Sequence, residues 1–173
     1  MKQVKLTKKF LNSYSHNYAI DKNNLIYDGA CMFKTDYIDY SNLKNIGIIE
    51  DNRMLNLFNE KKNVELQEVD ISKFKHCEIE KYDNYYDLSK QYIFYSAYTK
   101  EERNVYYGIS KYYYEDFIPK LLKNNPGIKI MESIVPKKHT FREIKFYYFV
   151  DNGEIIGILA PNEAQVNSIC KVL

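Results

Sequence analysis

Residues 141–160 read FREIKFYYFVDNGEIIGILA. Two runs rich in β-branched and aromatic residues, 141–150 and 154–159, flank Asp151-Asn152-Gly153. A tight hairpin turn needs positive φ at its central positions, which Asn and Gly adopt at least cost. The stretch therefore predicts a β-hairpin and, with it, an antiparallel sheet.

The same reading extends outward. Residues 91–98 and 104–109 are aromatic and β-rich, and the charged Thr99-Lys100-Glu101-Glu102-Arg103 joins them, which predicts a second hairpin with a solvated tip. Near the N-terminus, 18–20, 25–27 and 30–34 alternate with turn signals at Asp21-Lys22-Asn23-Asn24 and Asp28-Gly29. Residues 64–69 and 128–134 are further strand candidates, and 72–88 reads mainly as loop.

Helices are expected at 8–13 behind the cap Thr7, at 50–61, and at 110–123 behind Ser110 with an interruption at Pro119. A last helix is expected from Asn162. Gln165 completes its capping box, and Val166, Ile169, Cys170 and Leu173 make an i, i+3, i+4, i+7 stripe. The sum is an α+β fold: antiparallel sheets built from hairpins, with three or four short helices packed on one face. Residues 1–173 form one domain, with 1–90 and 91–173 as candidate sub-units.

At 173 residues and 45% hydrophobic, the chain is long and apolar enough to bury a core, which excludes a disordered tail. Twenty-five Lys and Arg against 23 Asp and Glu leave a net charge of +2, too even to demand a polyanionic partner. The middle is acidic: residues 50–90 hold ten acidic and seven basic side chains. The N-terminus, MKQVKLTKKF, lacks the apolar core of a secretory signal, and no run approaches the ~20 apolar residues of a membrane span. A cytoplasmic protein with no membrane partner is the expectation, and three dispersed cysteines suit a reducing compartment.

The search for chemistry returns no catalytic residue, no metal site and no cofactor. Cys31, Cys77 and Cys170 form no Cys-x-x-Cys, and His16, His76 and His139 are isolated. On a strand the adjacent His76 and Cys77 would face opposite sides. No phosphate-cradling glycine motif occurs, because Gly153 and Gly157 sit inside a hairpin. The acid pairs Glu101-Glu102 and Glu115-Asp116 lie in charged stretches that read as solvated. An enzyme with an unfamiliar site is the third-ranked alternative.

Tyrosine is what stands out. Eleven of 18 tyrosines lie between Tyr82 and Tyr114. Adjacent pairs such as Tyr106-Tyr107 cannot both be hidden by period-two alternation, so some rings should reach solvent. Tyrosine carries a large rigid apolar body with a polar tip, which favours interfaces. Tyr95, Tyr98, Tyr106, Tyr107, Tyr112 and Tyr113 are accordingly the candidate partner-binding residues, for a protein or nucleoprotein complex, with a homodimer also open. Lys137, Lys138, His139 and Arg142 form a basic loop, the candidate nucleic-acid contact of the alternative reading. Abundant Lys and Asn, 18 Tyr and no Trp resemble the accessory proteins of phages and mobile elements of low-GC bacteria. An inhibitor of a host nucleic-acid-targeting defence system fits that origin.

The two ends also echo each other. Val4-Lys5-Leu6-Thr7-Lys8-Lys9-Phe10 and Tyr107-Gly108-Ile109-Ser110-Lys111-Tyr112-Tyr113 each place an apolar residue before Thr/Ser-Lys and an aromatic-bearing helix. Each is followed by a hairpin with a turn glycine, at Gly29 and Gly153. This order resembles the half-domain repeat of DNA sliding clamps. The resemblance implies an accessory role in DNA replication, covers the two ends alone, and assigns no functional residue.

Overall fold

The computed structural model describes residues 2–6, 18–28, 31–43, 46–60, 64–73, 76–78, 92–100, 103–133, 146–166 and 171–172. Its strands are, in chain order, β1 (Val4–Lys5), β2 (Tyr18–Asp21), β3 (Leu25–Tyr27), β4 (Cys31–Lys34), β5 (Ile38–Asp39), β6 (Ile46–Ile49), β7 (Leu66–Glu68), β8 (His76–Glu78), β9 (Tyr92–Lys100), β10 (Arg103–Ser110), β11 (Lys129–Ser133), β12 (Tyr147–Asp151), β13 (Glu154–Leu159), β14 (Asn162–Val166) and β15 (Lys171–Val172). Two α-helices, α1 (Arg53–Glu60) and α2 (Ile118–Asn124), join them. The class is α+β, with fewer helices among the described residues than the sequence suggests. The chain divides into two compact units, Met1–Val69 with Pro119–Ala160, and Asp70–Ile118 with Pro161–Leu173.

The first unit holds an eight-stranded sheet in the order β6-β2-β3-β4-β13-β12-β11-β7, antiparallel except where β6 runs parallel to β2. The β12–β13 hairpin forms as its turn predicts, with φ of 49° at Asn152 and 80° at Gly153. The β2–β3 turn is held by Asp21. Its Oδ1 accepts the amides of Asn23 and Leu25, each at 2.9 Å, and this lets Asn24 take φ of 58°. The two hairpins placed in separate repeats by the sequence echo lie side by side here, with Phe33 of β4 paired to Gly157 of β13.

Alternation then decides the layers. Leu25, Met32, Tyr148 and Ile158 share a buried cluster with Met54 and Phe58 of α1. The Asp51 carboxylate accepts the Arg53 amide at 3.0 Å at the start of that helix, and this bond holds Asp51 below the usual carboxylate range. A separate parallel pair, β1–β5, is tied to the end of α2 by Asn125. Its side chain accepts the Lys2 amide and donates to the Lys2 carbonyl, both at 2.9 Å.

The second unit is a five-stranded antiparallel sheet in the order β14-β10-β9-β8-β15. Here the structure corrects the sequence reading twice. Residues 162–166 are strand, not helix: they pair with β10 from Gly108↔Asn162 to Asn104↔Val166, so a sheet partner overrides the local capping signal. His76–Glu78, within the expected loop, is a strand because β9 and β15 flank it. The Pro119 interruption takes a defined form. Residues Tyr112–Phe117 make a π-helical turn, and the Ile118 amide bonds the Tyr113 carbonyl. A wide turn at this point relieves the clash of the proline ring with the preceding turn. Lys111, which precedes the turn, makes no side-chain capping bond, and the side chain of Ser110, the expected cap, lies outside what is described. The expected helix at 8–13 and the C-terminal stripe beyond Val166 up to Cys170 lie outside the described residues.

Candidate functional site

The β9–β10 hairpin carries four of the six candidate tyrosines, and its register decides how they are grouped. Along the inner half, Tyr107 pairs with Tyr95 and Tyr106 with Ser96. At the tip, Val105 pairs with Tyr98. The step from Ser96 to Tyr98 against one step on β10 is a β-bulge at Ala97. Without it, Tyr95 and Tyr98, three apart, would fall on opposite faces. With it, Tyr98 stands on the face of Val105, and β10 alternation puts Val105 and Tyr107 together. Tyr95, Tyr98 and Tyr107 therefore occupy positions on one face of the sheet, and Tyr106 is on the other.

Neighbouring strands extend that face. Glu163 of β14 pairs with Tyr107, and His76 of β8 pairs with Tyr95, which makes a four-strand row Glu163, Tyr107, Tyr95, His76. The next row inward on the same face is Ile109 with Ile93. Ile109 is 1% exposed, so the face is covered at that end. The Tyr98 row lies four residues away on β10, about 13 Å toward the hairpin tip.

Tyr112 and Tyr113 belong to a different environment. Tyr113, expected at a partner surface, is 4% exposed and meets Phe117 edge-on at 5.6 Å. It is a core residue of the second unit, because the π-helical turn brings the i and i+4 rings together. Tyr112 is half-buried, 5.4 Å from the Tyr113 ring and 6.3 Å from Phe117. Tyr114, which sequence reasoning did not select, donates its hydroxyl to the Ile71 carbonyl at 3.2 Å. Burial, reinforced by the acids Asp70 and Glu115, pushes this phenol up. The basic candidates Lys137, Lys138, His139 and Arg142 lie outside the described residues.

The sequence places Tyr95, Tyr98, Tyr106 and Tyr107 on a hairpin with Tyr106 and Tyr107 on opposite faces, but does not show that Tyr98 shares the face of Tyr95. The trace available was Ser96-Ala97, two small residues in an otherwise aromatic run. Among the described residues no three His, Cys, Asp or Glu side chains come together as a metal site, and no helix is long and apolar enough to cross a membrane. The architecture is that of an α+β protein with a bulged, tyrosine-bearing sheet. No family model, curated protein or solved structure matches the chain.

Proposed function

We propose that the chain is a non-catalytic binding protein that occupies a surface on a protein or nucleoprotein partner through the face holding Tyr95, Tyr98 and Tyr107. The observation that carries this reading is the bulge at Ala97, which gathers three tyrosine positions onto one face. A bulge costs ladder pairing and is a feature that re-aims side chains, so its use between two tyrosines fits a surface built for contact. Rigid aromatic groups dominate the energetics of such contacts. The Lys-, Asn- and Tyr-rich composition supports an origin in a phage or another mobile element, acting in the cytoplasm of a bacterial host, where a host nucleic-acid-targeting defence complex is a fitting target.

Capture from nuclease-treated host extract tests the reading. The parent chain should retain a discrete protein partner, which the triple variant Tyr95→Ala, Tyr98→Ala, Tyr107→Ala loses and Tyr106→Ala keeps. Truncating an interface tyrosine typically costs ~1–2 kcal/mol, so the triple variant should bind at least about a hundredfold more weakly. Retention by the triple variant rejects the face assignment. Capture abolished by nuclease, or falling steeply with salt, transfers the function to nucleic-acid binding through Lys137, Lys138, His139 and Arg142.

A further inference from the structure

The two edges of the eight-stranded sheet are unlike. The β7 edge is blunted: Glu68 pairs with Lys129 at 2.8 Å, and Gln67 donates to Glu132 at 3.3 Å. The β6 edge reads Ile46-Gly47-Ile48-Ile49 and carries no charge, and Ile48 is 81% exposed. Natural sheets cover or charge such an edge because its outward amides and carbonyls template another strand.

The register shows which groups are outward. The Lys22 amide donates to the Ile49 carbonyl at 3.2 Å, across the parallel β2–β6 pair. In a parallel ladder the residue that bonds one neighbour does so with both its amide and its carbonyl, and alternate residues turn theirs the other way. Gly47 and Ile49 thus bond β2, and Ile46 and Ile48 present theirs to the other side, where no described strand pairs with β6. Beside them lies an open groove of about 580 Å³, lined by Ile20, Lys22, Ile46, Ile48, Ile49 and Glu50.

We infer that β6 pairs antiparallel with β6 of a second copy of this chain, about a two-fold axis at Gly47. In that register Ile46 of each copy faces Ile48 of the other as a hydrogen-bonded pair, so all the outward groups of the strand are used. The close, non-hydrogen-bonded position falls on Gly47 against Gly47, where neither chain has a side chain to clash. The interface is isologous, as a closed two-fold dimer requires. It rests on the first unit alone and is independent of the tyrosine face.

Sedimentation velocity of the full chain, from micromolar to millimolar concentration, gives the test. The parent should pass from monomer to dimer, and Ile48→Lys should weaken the dimer at least about tenfold by setting a charge on the apolar pair. Ile48 is 81% exposed, so the variant should melt like the parent. Oxidation of Gly47→Cys supplies a second reading, because a Cβ at this position meets only ordinary contacts, 3.6 Å to the Tyr18 carbonyl oxygen. A cross-linked dimer joined at position 47 supports the register. A parent that stays monomeric throughout, a dimer indifferent to Ile48→Lys, or a Gly47→Cys chain that cross-links elsewhere or not at all overturns it.

Discussion

Replacing Gly157 by alanine should destabilise the first unit, although the same change elsewhere in a strand usually helps. Gly157 pairs with Phe149 on one side and Phe33 on the other. A Cβ there would lie 2.2 Å from Cδ1 and Cε1 of Phe33 and 2.7 Å from its Cζ. Carbon atoms in contact sit at about 3.5–4.0 Å, so the ring must move by more than about 1 Å. It has nowhere easy to go, being 1% exposed and packed in a tilted contact, centroids 4.9 Å apart, against Phe149, itself 1% exposed. Overpacking of this kind costs ~1–3 kcal/mol, which for a chain of this size lowers Tm by roughly 2–12 °C. With no clash, reduced unfolded-state entropy would instead stabilise by ~0.4–1 kcal/mol, so the sign itself discriminates. Urea melts of parent, Gly157→Ala, Phe33→Leu and the double variant form the assay. The double variant should cost less than the sum of the two singles by at least ~0.5 kcal/mol, because the smaller side chain vacates the space. A neutral or stabilising Gly157→Ala, or strict additivity, refutes the packing argument.

Asn125→Ala should cost ~1–3 kcal/mol in urea melts, because it strands the Lys2 backbone groups that a 7%-exposed side chain satisfies; a loss below ~0.5 kcal/mol counts against the clamp. Alkaline stability follows from Tyr37 and Tyr148, whose phenols are pushed up from 10.0 to about 12, mainly by burial and, for Tyr37, also by its 2.8 Å hydrogen bond to Asp151. A folded pKa above the unfolded value favours the protonated fold. Their contribution is therefore complete below pH 10 and is lost as pH climbs toward 12. Tyr148→Phe should flatten that decline in denaturant melts taken from neutral to strongly alkaline pH. It should leave neutral stability unchanged or higher, since the Tyr148 hydroxyl meets no partner among the described residues. An unchanged alkaline slope contradicts the burial assignment.

What was legible in the sequence was local. Asp151-Asn152-Gly153 dictates its own turn through the φ values that Asn and Gly tolerate, and β12 and β13 follow from it. Pro119 likewise announces a helix break through its missing donor, although not the π-helical form that the break takes. What failed was decided by partners distant in sequence. The capping box at Asn162 and Gln165 is sound local chemistry, but β10 offers residues 162–166 a ladder instead. His76–Glu78 shows no alternation of its own and is a strand through β9 and β15. The parallel β2–β6 pair has no turn to signal it. The candidate site was legible as composition and position, since Tyr95, Tyr98, Tyr106 and Tyr107 do lie on a hairpin. The placing of Tyr98 on the face of Tyr95 depends on one extra residue at Ala97, which no hydrophobic pattern displays. Tyr113 belongs to the dense tyrosine region that suggests a partner surface, yet a helical turn buries it.

Tyrosine footprinting by mild nitration, with and without the captured partner and read by peptide mass spectrometry, bears most directly on the contact face. Binding should protect Tyr95, Tyr98 and Tyr107 together, and Tyr106 should react alike in both states. Protection of Tyr106 in place of the other three, or equal reactivity of all four with the partner bound, would contradict the assignment.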